Sequence, residues 1–227
     1  MFIGHFALGL AAKRAAPATS LATLFAAAQL IDLAWPLLLL AGIERVRIDP
    51  GNTAFTPLDF ESYPWTHSLL MVAIWAVLFA AVYRWRGGTG RAALVVGGLV
   101  LSHWVLDFLT HRPDLPLAPG APKVGLGLWN SVPATMIVEG ALFAGGVWLY
   151  ATGTRALNRK GAVALWALVG FLALVYLGNV FGSPPPSAQA IGVVGLSMLL
   201  FLPWAAFIDR NREPVAAEGA PREAVSA

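Results

Sequence analysis

The sequence predicts an all-α fold, a polytopic transmembrane helix bundle of about six spans with a short N-terminal helix. Three observations lead there. The 227 residues are 58% hydrophobic and only 12% charged, and the mean hydropathy of +0.69 lies outside the usual range of water-soluble domains of this length. Apolar stretches near 19–43, 67–86, 91–111, 131–152, 161–181 and 188–208 each approach the roughly 20 residues that cross a bilayer at about 1.5 Å per residue. Several tryptophans, among them Trp65, Trp129, Trp148 and Trp204, fall near the ends of those stretches, where indole favours the headgroup region.

The elements follow in order. Residues 2–14 form a shorter apolar helix that either lies along the inner face or runs inward from the outer face as a thin first span. This N-terminus reaches Lys13 and Arg14 only after its apolar residues, the reverse of a secretory signal peptide, and is expected to be retained. Gly87-Gly88-Thr89-Gly90, the Pro/Gly-rich stretch 113–127 and Ser183-Pro184-Pro185-Pro186 punctuate the spans. The reading gives one membrane-embedded domain over 1–209 and a polar tail over 210–227, expected to be disordered.

Charge then sets orientation. The net charge of +3 comes mainly from short basic clusters at Lys13/Arg14, Arg84/Arg86/Arg91, Arg155/Arg159/Lys160 and Arg210/Arg212. These are topology signals rather than a nucleic-acid surface, and the positive-inside rule puts all four, with the C-terminus, in the cytoplasm. Loops 44–66, 112–130 and 182–187 then face outward. The chain has no cysteine, which excludes disulfides and thiolate metal sites, so any metal must use His, Asp, Glu or water.

Ionisable residues inside spans are costly and mark functional sites by default. Here they are Asp32, His103, Asp107, His111 and Glu139, with His5 and His67 at or near helix starts. In Ser102-His103-Trp104-Val105-Leu106-Asp107-Phe108-Leu109-Thr110-His111 three ligand types recur every fourth residue. Each step rotates only about 40°, so all three share a face. His103 and His111 are nevertheless about 12 Å apart along the axis, too far for one ion with His–metal bonds of about 2 Å. The spacing therefore favours two ions with Asp107 shared or bridging, in a larger cluster that recruits Asp32 and His67 from other helices. A lone intramembrane His or Asp often only hydrogen-bonds a neighbouring helix. His67 also reads as a polar helix start, with Thr66 or Ser68 as the cap.

From His5 to about Asp114 these residues resemble the bacterial inner-membrane metal-dependent hydrolase family, of the LexA-binding, inner-membrane-associated type. The resemblance rests on His5 with Gly9, Asp32, Thr66-His67-Ser68, and His103, Asp107 and Thr110. The ligand order is also loosely similar to that of zinc-dependent phospholipases C. The chain departs from the family pattern at Gln29-Leu30-Ile31-Asp32, where the family often has Asp-x-Asp-His, and at Tyr63-Pro64-Trp65, where it often has His-Arg-Gly. A LexA partner is not carried over.

The resemblance and the residues together imply a multi-pass protein of the bacterial inner membrane, a metal-dependent hydrolase of a phosphoester or ester of a lipid-like substrate. One or two divalent ions, of zinc class, would be held by His5, Asp32, His67, His103, Asp107 and His111. Glu139 or Asp32 would take up the proton, and Arg45, Arg47 or Arg112 would hold an anionic headgroup. The bilayer is the expected partner, and no nucleic acid. The alternative is a transporter or permease using the same groups as an ion or proton relay, which inverted repeats and broken helices would favour; neither is evident in the sequence. A bis-His haem protein and a scaffold with polar helix contacts complete the alternatives.

Overall fold

The computed structural model describes residues 1–215. Its helices are α1 (Ile3–Ala11), α2 (Leu21–Ala28), α3 (Leu30–Leu40), the one-turn α4 (Pro64–His67), α5 (Leu69–Trp85), α6 (Gly90–Thr110), α7 (Val132–Gly153), α8 (Arg159–Phe181), α9 (Ala188–Leu196) and α10 (Phe201–Arg210). Three two-stranded antiparallel ribbons close the ends: β1 (Arg45–Ile48) with β2 (Leu58–Ser62), β3 (Leu115–Pro116) with β4 (Lys123–Val124), and β5 (Thr154–Ala156) with β6 (Arg212–Pro214). Local sequence explains where helices begin. Ser20, Ser68, Thr89, Ser131, Asn158 and Ser187 each accept a hydrogen bond from the amide three residues on, capping α2, α5, α6, α7, α8 and α9.

All six expected stretches are helical, but the span count differs. Among the described residues, four segments are long and apolar enough to cross a membrane, namely α6, α7, α8 and the run Ala188–Arg210. A fifth is obtained only if α2 and α3, which are bent by 55° at Gln29, count as one span. α5 has 17 residues and is shorter than the others. The break at Gln29 is one that was not evident in the sequence.

The short N-terminal helix does not lie along a face of the bundle. α1 is enclosed by α7, α2 and α6, with Ile3, Gly4, His5, Phe6, Ala7, Gly9 and Leu10 all buried. Its nine residues cover only about 14 Å, so it is a half-length helix inside the bundle. α7 accommodates it through Gly146, where a Cβ would lie 2.7 Å from Ala7 Cα. Around this centre α5 packs on α6, α10 on α2 and α8, and α9 on α3.

The two ends differ in chemistry. Lys13 Nζ is 3.0 Å from Asp209 Oδ1, and Arg14 donates to the Leu149 carbonyl at 3.1 Å. Arg155 pairs with Glu213, and Arg14 and Arg91 border one small cleft, so basic residues from all the clusters gather at one end. The β1–β2 hairpin, β3–β4 and Trp129 form the other, which we term the hairpin end. The tail expected from 210 starts as ordered structure: Arg210 closes α10, and Arg212 in β6 is buried against Thr154, donating to its Oγ1 at 3.0 Å. The rest of that expectation, 216–227, lies outside the described residues.

The close approach of α1 to α7 gives a direct check. Gly146→Ala should lower the melting temperature of the detergent-solubilised protein, by the equivalent of about 1–3 kcal/mol for overpacking. Gly140→Ala on the same helix, where an added Cβ meets nothing within 4 Å, should leave it unchanged.

Candidate metal centre

Three helices and the one-turn α4 bring five of the expected residues together. α6 carries His103 and Asp107 one turn apart on its buried face, with His103 Nε2 3.3 Å from Asp107 Oδ2. α1 contributes His5, whose Nε2 is 3.1 Å from Asp107 Oδ1. Its ring stacks on that of His103 with centroids 3.7 Å apart. α3 contributes Asp32 in its first turn, where the helix dipole favours a carboxylate. Asp32 Oδ1 is 3.5 Å from both His67 Nε2 and His103 Nε2, and His67 Nε2 is 3.9 Å from Asp107 Oδ2.

Two groups capable of holding an ion result, His5/His103/Asp107 and Asp32/His67/His103, and in each the ligand atoms lie within 4.8 Å of one another. Two ligands about 2.05 Å from an ion at the tetrahedral angle are about 3.3 Å apart. The observed separations fit that value with small adjustments. His103 belongs to both groups, and Asp107 turns one oxygen toward His5 and the other toward His103. The amino group of Met1 also donates to Asp107 Oδ1, at 2.6 Å.

Two of the three imidazoles, those of His103 and His67, are held in the form a metal requires, whereas the buried His5 Nδ1 has no hydrogen-bond partner. His103 Nδ1 lies 2.9 Å from the Ala28 carbonyl, which can only accept, so Nδ1 carries the proton. The Nε2 lone pair then faces Asp32 and Asp107, and this buried atom has no hydrogen-bond partner. The Ala28 carbonyl lies at the end of α2, beside the break at Gln29. For His67 the same is done through side chains. Thr66 Oγ1 donates to Glu44 Oε2 at 2.6 Å and therefore accepts from His67 Nδ1 at 2.7 Å. Glu44 Oε1 also accepts from the amides of Trp65 and Thr66 at 2.8 and 2.9 Å, fixing the start of α4. A carboxylate or carbonyl behind the imidazole is the usual support of a metal-bound histidine. Thr66 thus braces His67, and Ser68 is the residue that caps the next helix.

Other expected site residues take different places. His111 is in neither ligand group. It sits at the end of α6 with Nδ1 2.9 Å from Asp114 Oδ1 and 3.2 Å from the Tyr63 hydroxyl, and packs on Trp129. The axial separation along α6 is the reason. Glu139 is fully buried on α7, but its Oε2 accepts from the Phe2 amide at 3.0 Å. It satisfies the start of α1 and is absent from both groups. Arg45, Arg47 and Arg112 do not line the cavity described below. Arg45 is exposed on β1, Arg47 pairs with Asp59 at 2.8 Å, and Arg112 pairs with Asp59 and with Asp114. The hydrogen bond from Arg47, with the charge of Arg112, holds the Asp59 carboxyl below its ordinary range against a partial desolvation that raises it.

Sequence reasoning missed Glu44, Tyr63, Asp114 and the role of the Ala28 carbonyl. Glu44 lies outside every span, and nothing in its surroundings marks it except that its side chain is fully buried. Asp32, His67, Asp107 and His111 line a cavity of about 860 Å³, whose walls include Trp35, Phe60, Trp129, Phe171 and Ile191. That volume is toward the upper end of ligand pockets, about 300–1,000 Å³. It is mostly apolar, with its carboxylates and imidazoles collected at one side.

Two tests follow from this geometry. Glu44→Gln and Thr66→Val should weaken metal binding about 10–100-fold, the usual effect of removing a supporting partner; competition with a chromophoric chelator measures it. Asp59 has a depressed folded-state value, so the stability it contributes is present above the ordinary aspartate range and is lost as pH falls through its lowered one. Amide exchange in β1 and β2 should accelerate there, and Asp59→Asn should remove that pH dependence. Compared with known proteins, the chain has no significant match to a family model, a curated protein or a solved structure.

Proposed function

We propose that this protein is a membrane-embedded metal-dependent hydrolase acting on a phosphoester or ester of a lipid-like substrate. The observation that carries the reading is the pair of ligand groups sharing His103, with Nδ1 of His103 and of His67 tied back, set at one side of a large apolar cavity. Nitrogen and carboxylate ligands without sulfur suit one or two zinc-class ions. Such ions polarise a phosphoryl or carbonyl oxygen and lower the pKa of water to about 7.

The chain's own residues supply the rest. His103, whose Nε2 offers one lone pair, would bind a single ion, completed by His5 and Asp107 or by Asp32 and His67, and the remaining ligands with Asp107 would hold any second ion. Asp32, the most exposed of the five with 24% of its side chain accessible, borders the cavity and is placed to take up a proton from attacking water. His111, held by Asp114 and Tyr63 on the cavity wall, offers the substrate a polar contact outside the ligand set. Orientation with the basic end in the cytoplasm of a bacterial inner membrane, and membership of the hydrolase family that the motifs resemble, belong to the same proposal.

One observation favours the second reading, a transporter or permease. The α2–α3 break places a freed helix end beside an intramembrane Asp, as discontinuous helices do in ion-coupled carriers. Asp32-dependent counterflow in liposomes would support it.

Metal analysis separates these readings. Purified wild type is expected to carry one or two equivalents of zinc-class metal. His103→Ala, which touches both groups, should lose most of it, and Asp107→Ala should lose at least half. His111→Ala should retain the wild-type content. A wild type without stoichiometric metal overturns the hydrolase.

A further inference from the structure

The cavity reaches far beyond the residues that a metal centre needs, and its far wall is made of membrane helices. Phe171, Gly178 and Asn179 of α8 and Val194 of α9 line it and are exposed, and α8 and α9 pack little on one another. The cavity is therefore open between α8 and α9.

Packing explains the gap. The last long segment changes partners along its length. α10 lies against α8, where Trp204 Nε1 donates to the Ala164 carbonyl at 3.1 Å. Phe171 meets Phe201 and Trp204 there, at 6.0 and 5.8 Å between ring centroids. α9 instead leans onto α3. Gly195 and Gly192 permit this, since a Cβ at Gly195 would lie 2.6 Å from Pro36 Cγ and one at Gly192 2.7 Å from Leu40 Cγ. α8 and α9 consequently diverge from the Phe171–Phe201 contact toward the Ser183–Pro186 loop.

The dimensions identify what fits. From Phe171 to Phe181 is ten residues, about 15 Å of helix, half the roughly 30 Å hydrocarbon thickness of a bilayer. The opening thus extends from the hairpin end to mid-bilayer, the depth of one leaflet. It is lined mainly by apolar side chains and glycines, with Asn179, Ser183 and Ser197 as neutral polar residues, and no lysine or arginine lines the cavity among the described residues. An anionic phosphoryl group entering here has no basic side chain to stop at before the metal centre.

Resting on the hydrolase reading, we propose that the gap between α8 and α9 is a lateral portal and that its occupant is an acyl chain of a glycerophospholipid from the leaflet at the hairpin end. The chain lies against Phe171, Val175 and Val194, and the headgroup phosphate reaches Asp32, His67 and Asp107 from the side. The substrate class is then a bilayer phospholipid that never leaves the membrane, rather than a water-soluble ester entering past the hairpin.

Gly178→Trp tests this, because Gly178 lines the cavity and an added Cβ there meets nothing within 4 Å. Val194→Trp narrows it from the opposite wall and serves as the second variant. Full-length protein is extracted from vesicles of phosphatidylglycerol and phosphatidylethanolamine in equal parts and examined by native mass spectrometry, with metal content measured in parallel. The wild type should retain one phospholipid, and both variants should lose at least ten-fold of that occupancy while keeping metal within two-fold of wild type. Retention unchanged in both variants, or a wild type that carries only detergent, overturns the portal. Lipid lost from the variants when the wild type itself holds no metal supports the portal and removes the hydrolase.

Discussion

The cost of holding two carboxylates, Asp32 and Asp107, inside an apolar bundle is the constraint on which the rest of this structure depends. A buried ion costs several kcal/mol unless opposite charge and hydrogen bonds compensate it. Asp107 is nearly fully buried, and every atom close to its oxygens is a nitrogen, from Met1, His5, His67 or His103. The Met1 ammonium offsets one of the two negative charges, and neutral imidazoles leave the other without fixed counter-charge. A divalent ion in either ligand group would supply it, which makes the metal a component of packing as much as of chemistry.

The supporting layer follows from that constraint. Orienting an imidazole in a low-dielectric interior requires an acceptor behind it, and the chain uses two different ones. A helix interruption lends a main-chain carbonyl to His103, and the buried Glu44 acts on His67 through Thr66. Both devices would be unfavourable in isolation, one leaving a helix bent by 55° and the other a carboxylate fully out of water. They are tolerated because each satisfies groups that would otherwise be orphaned.

How much of this was legible in sequence depends on range. The helical regions were readable because membrane burial imposes long apolar runs, and His103 and Asp107 because spacing by four puts them on one face of a single helix. Asp32 and His67 were recognisable as polar residues in or beside an apolar solvent. His111 shared the α6 periodicity but not the cluster, since one helix cannot present three successive turns to one point. Glu139 looked like an acid in search of chemistry, yet it meets the amide of Phe2, a partner 137 residues away. The half-length α1 was readable as a helix and not as the centre of the bundle, because Gly146 creates its berth from another helix. Arg47 and Arg112 at the hairpin end found acidic neighbours whose proximity only hairpin and loop geometry decides, whereas Arg45 is exposed on β1.

The enclosure of α1 bears on how the protein is made. His5 is the earliest of the ligands along the chain, whereas α7, which closes over it at Gly146, is separated from it by well over a hundred residues. During synthesis α1 must wait beside the membrane or the insertion machinery while α2 through α7 are delivered. Of the two ligand groups, the one that includes His5 is therefore completed late, after insertion of most of the bundle, while Asp32, His67 and His103 come together without α1. An ion joining them would act as the final checkpoint of assembly, so scarcity of metal would show first as protein that is inserted but not matured.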